Sequence, residues 1–91
     1  MGADVLEERH MISTLIYLSE NEGCTKTELY RAVSSNPRMP EKLDILESNG
    51  LIRQETNDAS RAVRISLTDL GRKVSGRLLE IDRLMSDTRT E

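Results

Sequence analysis

The sequence predicts an α+β fold that is mostly α-helical, in which three helices precede a β-hairpin and a fourth helix follows it. Three observations support this order. Apolar residues recur at helical spacing in four segments, Val63, Ile65 and Leu67 alternate with polar residues as in a strand, and turn-forming residues separate the segments. The chain has 91 residues, which suffices for one domain and not for two.

Composition narrows the class of protein. Apolar residues make up 36% of the chain and charged residues 32%, which is typical of a globular domain rather than a disordered segment. No apolar run approaches the roughly eighteen residues of a membrane-spanning helix. The first eight residues lack the basic and apolar parts of a secretion signal, and the lone Cys24 permits no internal disulfide. We therefore expect a cytoplasmic protein with no membrane partner.

The first helix is predicted to run from Val5 to Glu20. Asp4 is a suitable N-cap because its carboxylate can accept a free backbone N–H, and Gly23 follows the end of the helix. The apolar stripe expected to face the core consists of Ile12, Leu15, Ile16 and Ser19, flanked by Val5 and Leu18.

The second helix is predicted over residues 26–33. Thr25 and Glu28 have the spacing of a capping box, in which each side chain accepts the backbone N–H of the other residue. Its inner stripe is predicted to be Leu29, Ala32 and Val33. Besides capping the helix, this N-terminus can hold a phosphate through backbone N–H groups and a hydroxyl.

The third helix is predicted over about residues 38–49. Pro40 lacks a backbone N–H and is tolerated only near the start of a helix, so the helix begins after the turn at Asn36. Gly50 suits the position that follows a helix, where a left-handed backbone is common. The inner stripe is predicted to be Met39, Leu43 and Leu46.

The hairpin is predicted from two strand-like runs, residues 51–56 and 62–67, which the polar residues 57–61 separate. An isolated two-stranded hairpin is only marginally stable, so it must pack on the helices or gain another strand. Residues 23–25 are the expected source of a short third strand.

The fourth helix is predicted from Asp69 to Ser86, with Thr68 as its N-cap and a frayed tail over residues 87–91. Residues 4–67 then form the main domain, and residues 68–86 form a C-terminal dimerisation helix. The apolar stripe of this helix contains Leu70, Val74, Leu78, Ile81, Leu84 and Met85.

This stripe is longer than a thin single-domain core can cover. We therefore predict that its outer half pairs with the same helix of a second copy, with Leu79 contacting the first helix of that copy. The alternative is that the helix folds back entirely within the monomer. The predicted dimer interface comprises Val74, Leu78, Leu79, Ile81, Leu84 and Met85.

Two motifs resemble those of the winged helix-turn-helix transcription regulators of archaea and bacteria, broadly of the MarR and ArsR types. One is the helix end and following strand formed by Leu43, Leu46, Gly50, Leu51 and Ile52. The other is the sequence Leu67-Thr68-Asp69-Leu70-Gly71 after the hairpin. The resemblance covers about residues 9–75.

The resemblance implies a homodimeric, sequence-specific DNA-binding regulator of transcription whose partner is double-stranded DNA. Residues 38–49 would enter the major groove as the recognition helix, and the hairpin over residues 51–67 would be the wing. The DNA-contacting residues predicted by position and charge are Lys26, Thr27, Arg38, Glu41, Lys42, Ile45, Arg53, Arg61 and Arg64.

The charge balance keeps a second function open. The net charge is −3, whereas a strongly basic nucleic-acid binder has a pI above about 9. Glu41 can accept a hydrogen bond from a cytosine amino group and Ile45 can touch a thymine methyl, but the same side chains also suit a solvated face and packing on a neighbour. The alternative function is therefore a winged-helix protein-interaction module that does not bind DNA.

The sequence offers little for catalysis, and we expect neither enzymatic activity nor a cofactor. One histidine, His10, and one cysteine, Cys24, do not make a metal site or a catalytic pair, and no glycine-rich phosphate loop is present. We expect Cys24 to behave as a small buried apolar residue in a turn. The alternative is a redox role in which Cys24 pairs with the same residue across a dimer. The sequence identifies no small-molecule effector.

Overall fold

A computed structural model describes residues 2–89 of the chain, with side chains through residue 86. A short 3-10 helix precedes four α-helices and three β-strands. In chain order, these are the N-terminal 3-10 helix Gly2–Glu7, α1 Met11–Glu20, β1 Cys24–Thr25, α2 Lys26–Ala32, α3 Met39–Ser48, β2 Ile52–Thr56, β3 Val63–Leu67 and α4 Asp69–Arg89. None of the described helices has the length and apolarity needed to cross a membrane.

The sheet has three antiparallel strands in the order β1-β3-β2. The predicted short strand at residues 23–25 is confirmed in essence, because Cys24 and Thr25 pair with Ile65 and Arg64 of β3. On the other side of β3, Ile65 pairs with Gln54 of β2. Val63, Ile65 and Leu67 share one face of β3, and the central and last of these are buried, as the alternation predicted.

An aliphatic core lies between this sheet and the helices. The predicted inner stripe of α3 is confirmed, with Met39, Leu43 and Leu46 at most 1% exposed. The buried apolar cluster consists of Met11, Leu15, Leu18, Cys24, Leu29, Met39, Leu43, Leu46, Leu51, Ile52, Ile65, Leu67 and Leu78. The core thus joins α1, α3, the hairpin and the first half of α4 into one unit.

The predicted start of the first helix is wrong. The α-helix begins at Met11 rather than Val5, and the residues before it form a separate 3-10 helix. The break lies at His10, whose backbone has a left-handed φ of 70° and so ends the preceding helical path. Asp4 therefore lies inside the 3-10 helix and does not cap an α-helix.

The buried face of α1 is also displaced from its predicted position. Met11, Thr14, Leu15 and Leu18 are buried, whereas Ile12 is 43% exposed. Both sets have helical spacing, and they differ by a rotation of about one residue around the helix. Tertiary packing selects the set that includes Thr14 and leaves Ile12 at the surface.

Capping residues bound α2 and α3 as predicted. Thr25 Oγ1 accepts the N–H of Glu28 at 3.2 Å, and Glu28 Oε1 accepts the N–H of Thr25 at 2.8 Å, which completes the capping box. Pro40 occupies the first turn of α3, where a missing N–H costs no helical bond. After α3, Gly50 has φ 75° and the N–H of Leu51 donates to the carbonyl of Leu46 at 3.0 Å.

Helix α4 begins where predicted, because Thr68 Oγ1 accepts the N–H of Gly71 at 3.0 Å. It continues to Arg89, three residues beyond the predicted end at Ser86, so the expected frayed tail is helical over residues 87–89. Residues 90 and 91 lie outside the described residues.

Candidate nucleic-acid interface

The outward face of α3 matches its predicted orientation. Arg38, Glu41, Asp44, Ile45 and Ser48 are all exposed, opposite the buried stripe of the helix. Ile45 is 37% exposed, so it neither packs fully on a neighbour nor stands entirely in solvent. This face can offer hydrogen-bond acceptors and an apolar contact to a partner surface.

Lys42 does not belong to this exposed face, and its burial argues against its predicted contact with DNA. The residue is only 8% exposed. Its Nζ donates to the main-chain carbonyl of Arg9 at 2.7 Å and lies 3.7 Å from a carboxylate oxygen of Glu8. A buried lysine whose ammonium is held in this way joins α3 to the segment before α1 and presents no charge to a ligand.

Gln54 of β2 binds the side of α3 that bears Asp44 and Glu47, across the helix from Lys42. Its Nε2 donates to Asp44 Oδ1 at 3.0 Å and to Glu47 Oε1 at 3.1 Å, while its backbone N–H donates to Glu47 Oε2 at 3.1 Å. Sequence reasoning missed this residue. The period of two along β2, which places Gln54 on the same face as the buried Ile52, was the available signal.

The start of α2 contains the two predicted contacts Lys26 and Thr27, which are half-buried and exposed respectively. The capping box already uses the N–H of Glu28, and its hydrogen bonds from Thr25 hold the pKa of the Glu28 carboxyl below its usual range. The ionised Glu28 beside this helix start disfavours an anion there. The phosphate role of Lys26 and Thr27 stays a prediction.

The hairpin turn is organised by Asn57. Its side-chain oxygen accepts the N–H of Ala59 at 2.9 Å and that of Ser60 at 3.2 Å, and its carbonyl accepts the N–H of Arg61 at 2.6 Å. Arg61 adopts a left-handed backbone with φ 58°, which costs a non-glycine residue roughly 1 kcal/mol. The exposed Arg61 side chain therefore extends from a turn of defined shape.

Two further arginines lie on the solvent face of the sheet. Arg53 is exposed and pairs with Ser66 across the strands, whereas Arg64 pairs with Glu55. The guanidinium of Arg64 also donates to the carbonyl of Gly23 at 2.9 Å. Arg64 is thus exposed but partly committed to the sheet.

Of the predicted cationic contacts, Arg38, Arg53 and Arg61 are exposed, and Arg64 is exposed with one hydrogen bond to the main chain. Exposed acids lie among them, at Glu41, Asp44, Glu47, Glu55 and Asp58. The surface is therefore mixed in charge, and its cationic character is concentrated at the turn and the solvent face of the hairpin.

The predicted dimer residues on α4 separate into two groups. Leu78 is only 8% exposed and belongs to the core of its own chain, which argues against its predicted place in a dimer interface. Val74 and Leu79 are half-buried. The exposed remainder consists of Ile81 at 51%, Leu84 at 67% and Met85 at 59%, joined by Leu70 at 51%.

Within residues 2–86, no group of three or more His, Cys, Asp or Glu side chains is arranged to hold a metal ion. Cys24 is buried, and burial, together with the nearby negative charge of Glu28, raises the pKa of its thiol. A protonated, buried thiol is a poor nucleophile.

An apolar cavity of about 300 Å³ lies between the N-terminal 3-10 helix, the end of α3 and the start of α4.

No protein-family model and no curated protein sequence matches the chain. Several solved structures are similar. MepR, a transcription regulator of the Staphylococcus aureus multidrug efflux pump MepA, is 26% identical over 90% of the chain with a TM-score of 0.74. The transcriptional repressor CouR, bound to a 23-mer DNA duplex, is 28% identical over 90% of the chain with a TM-score of 0.73. F-93 of SSV1 is 21% identical over 85% of the chain with a TM-score of 0.68.

The similar structures differ in length. The chain spans 62% of MepR and 66% of CouR, which is less than two thirds of each, and 89% of F-93. At these TM-scores, the similarity covers 85–90% of this chain. The winged helix-turn-helix fold predicted from the sequence is confirmed.

Proposed function

We propose that this chain, which has the winged helix-turn-helix fold of MarR-like transcription regulators, is a sequence-specific DNA-binding regulator that acts as a homodimer in the cytoplasm. Helix α3 enters the major groove, and the hairpin over residues 51–67 is the wing. The observation that carries this proposal is the similarity in fold to CouR, which was solved on a DNA duplex. The exposed outer face of α3 and the arginine-bearing wing supply groups for such a partner.

Sequence is read by the outer face of α3. Glu41 can accept a hydrogen bond from the amino group of cytosine, and Ile45 can pack on the methyl group of thymine. Arg38, at the start of the helix, can contact a phosphate or a guanine edge. Because Glu41 repels phosphate, it reduces non-specific affinity and contributes mainly through discrimination between bases.

Phosphate contacts come from the wing and from the start of α2. Arg61 at the turn and Arg53 on the sheet are exposed, and Arg64, Lys26 and Thr27 are further candidates. Because each protomer has only a few such cations, it neutralises few phosphates, and its affinity for DNA depends only weakly on salt concentration. Two protomers acting together provide the affinity that one lacks.

Helix α4 provides the dimer contact. Ile81, Leu84 and Met85 are more than half exposed in the single chain, and the half-buried Val74 continues the same side of the helix toward the domain. An apolar stripe on a helix is stabilised when the same stripe of a second copy covers it about a two-fold axis. Such an axis places two recognition helices on successive turns of the major groove.

Replacing Ile81 with glutamate should convert the dimer into a monomer, because the introduced carboxylates would face each other across the two-fold axis. Size-exclusion chromatography with light scattering at micromolar concentration measures the mass directly. Glu80→Gln, on a different side of the same helix, is the matched control and should leave the dimer intact. A monomeric wild-type chain would exclude this interface.

Arg61→Ala should weaken binding to a random DNA duplex and reduce the slope of log affinity against log salt by about 0.9 for each phosphate that is no longer neutralised. Arg61→Lys, which keeps the charge, should retain most of that slope. Fluorescence anisotropy at several salt concentrations provides both quantities. Arg83→Ala removes one exposed cation from α4 and serves as the control that changes net charge equally.

The second candidate function is a winged-helix module that binds another protein. The acidic residues Glu41 and Asp44 and the half-exposed Ile45 favour it, because such a face suits a partially basic protein surface as well as a DNA groove. The duplex titration separates the two functions. If the wild-type chain binds no duplex at low salt, the protein-interaction function replaces the DNA-binding one.

A further inference from the structure

Recognition helix α3 is held on both of its sides by polar contacts. On one side, buried Lys42 donates to the carbonyl of Arg9. On the other, Gln54 of the wing donates from its side chain to Asp44 and Glu47 of the helix, at 3.0 and 3.1 Å. The buried stripe packs α3 against the core. The two lateral contacts restrict the rotation of α3 about its own axis.

The half-buried Gln54 donates three hydrogen bonds to α3, two from its side chain and one from its backbone. Both N–H groups of its amide have a carboxylate acceptor, and its backbone N–H has a third acceptor in Glu47 Oε2 at 3.1 Å. That backbone group lies on the edge strand β2, where free N–H groups would otherwise be exposed. Hydrogen bonds to charged acceptors are stronger than those between neutral groups.

The same contact determines which acids of α3 are turned toward a ligand. Asp44 and Glu47 each direct a carboxylate oxygen to the wing strand. Glu41, Ile45 and Ser48 have no such link to the wing among the described residues, and they lie at the centre of the outer face. The amide of Gln54 therefore draws two negative charges to one margin of the reading face.

We propose that Gln54 is a positioning residue that sets the base preference of α3, an inference that rests on the proposed DNA-binding function. It joins wing and recognition helix into one rigid body and holds Asp44 and Glu47 at the margin of the groove. Without it, the two carboxylates are free to enter the groove and accept hydrogen bonds from bases, and the wing no longer fixes the angle of the helix.

The test begins with selection of a preferred duplex by the wild-type chain from a random pool. Affinities are then measured for that duplex and for a shuffled duplex of the same composition, and their ratio is the discrimination. Gln54→Leu retains the size of the side chain and removes both donors. Gln54→Arg restores donors for both carboxylates, and Thr56→Val, on the same strand, is the matched control.

Gln54→Leu should lower the discrimination about five- to tenfold and leave the salt slope unchanged, because the phosphate contacts remain. Gln54→Arg should recover most of the discrimination, and Thr56→Val should preserve it. A merely structural effect would weaken both duplexes equally and leave their ratio intact. Backbone amide exchange at β2 in the free protein, faster in Gln54→Leu than in Thr56→Val, reports the loosened wing without DNA.

Two failures are distinguishable. A wild-type chain that binds neither duplex at low salt overturns the proposed function and the role of Gln54 with it. The role of Gln54 alone is overturned if the wild-type chain discriminates between the duplexes and the discrimination of Gln54→Leu stays within about twofold of the wild-type value.

Discussion

Gly71→Ala should destabilise the protein by about 3 kcal/mol, a large part of the total stability of so small a domain. A Cβ at this position would lie 1.9 Å from the carbonyl oxygen of Leu51, 2.9 Å from its carbonyl carbon and 3.2 Å from the side chain of Leu67. The carbonyl is not free to move, since it accepts the N–H of Thr68 at 3.0 Å. Helix α4 would have to shift away from the segment that follows α3.

Gly76→Ala is the matched control on the same helix. A Cβ there meets no atom within 4 Å, and the residue is exposed. Alanine should stabilise the helix by about 0.5–1 kcal/mol because it restricts the unfolded chain and has the higher helix propensity. Thermal unfolding followed by circular dichroism should show the two melting temperatures moving in opposite directions, by roughly 10–20 °C downward for Gly71→Ala. Equal shifts would contradict the close approach at Gly71.

Local signals in the sequence predicted much of the fold. The capping box of Thr25 and Glu28, the glycine after α3 and the alternation along β3 each act over a few residues, and each formed as expected. These features succeed because the backbone groups they satisfy are neighbours in the chain. The outward face of α3 followed from its period and from the buried stripe opposite.

Non-local contacts account for the failures. Nothing within residues 5–20 opposes a continuous helix, yet the chain bends at His10, and the carbonyl just before it is bound by Lys42, 33 residues away in sequence. The same contact removed Lys42 from the candidate site. A lysine on a recognition helix has the same local sequence whether its ammonium meets a phosphate or a carbonyl of its own chain.

The hairpin contact of α3 was hidden for a similar reason. Gln54 shares a face of β2 with the buried Ile52, but its acceptors Asp44 and Glu47 lie on another element, and only the packing of that element brings them within 3.1 Å. On α4, the apolar period was correct, but the period alone does not say where the monomer core ends. The structure places that boundary after Leu78.

Lys42→Ala should cost about 2–3 kcal/mol, the second largest effect expected, because the substitution removes a buried aliphatic stem and leaves the carbonyl of Arg9 without its partner. An exposed lysine on a recognition helix would instead change stability by less than about 0.5 kcal/mol. Chemical denaturation of the two proteins measures the difference. Slower exchange of N-terminal amides in the wild type should localise the effect to the segment around Arg9.

Lys42→Met separates the ammonium from its stem. Methionine retains most of the apolar contact and lacks the donor, so about 1 kcal/mol or more of the destabilisation should remain. If Lys42 contacted a phosphate, this variant would fold as stably as the wild type and reduce the salt slope of DNA binding by about 0.9. The hydrogen bond from the buried Lys42 to Arg9 predicts the reverse pattern, a less stable protein with an unchanged salt slope.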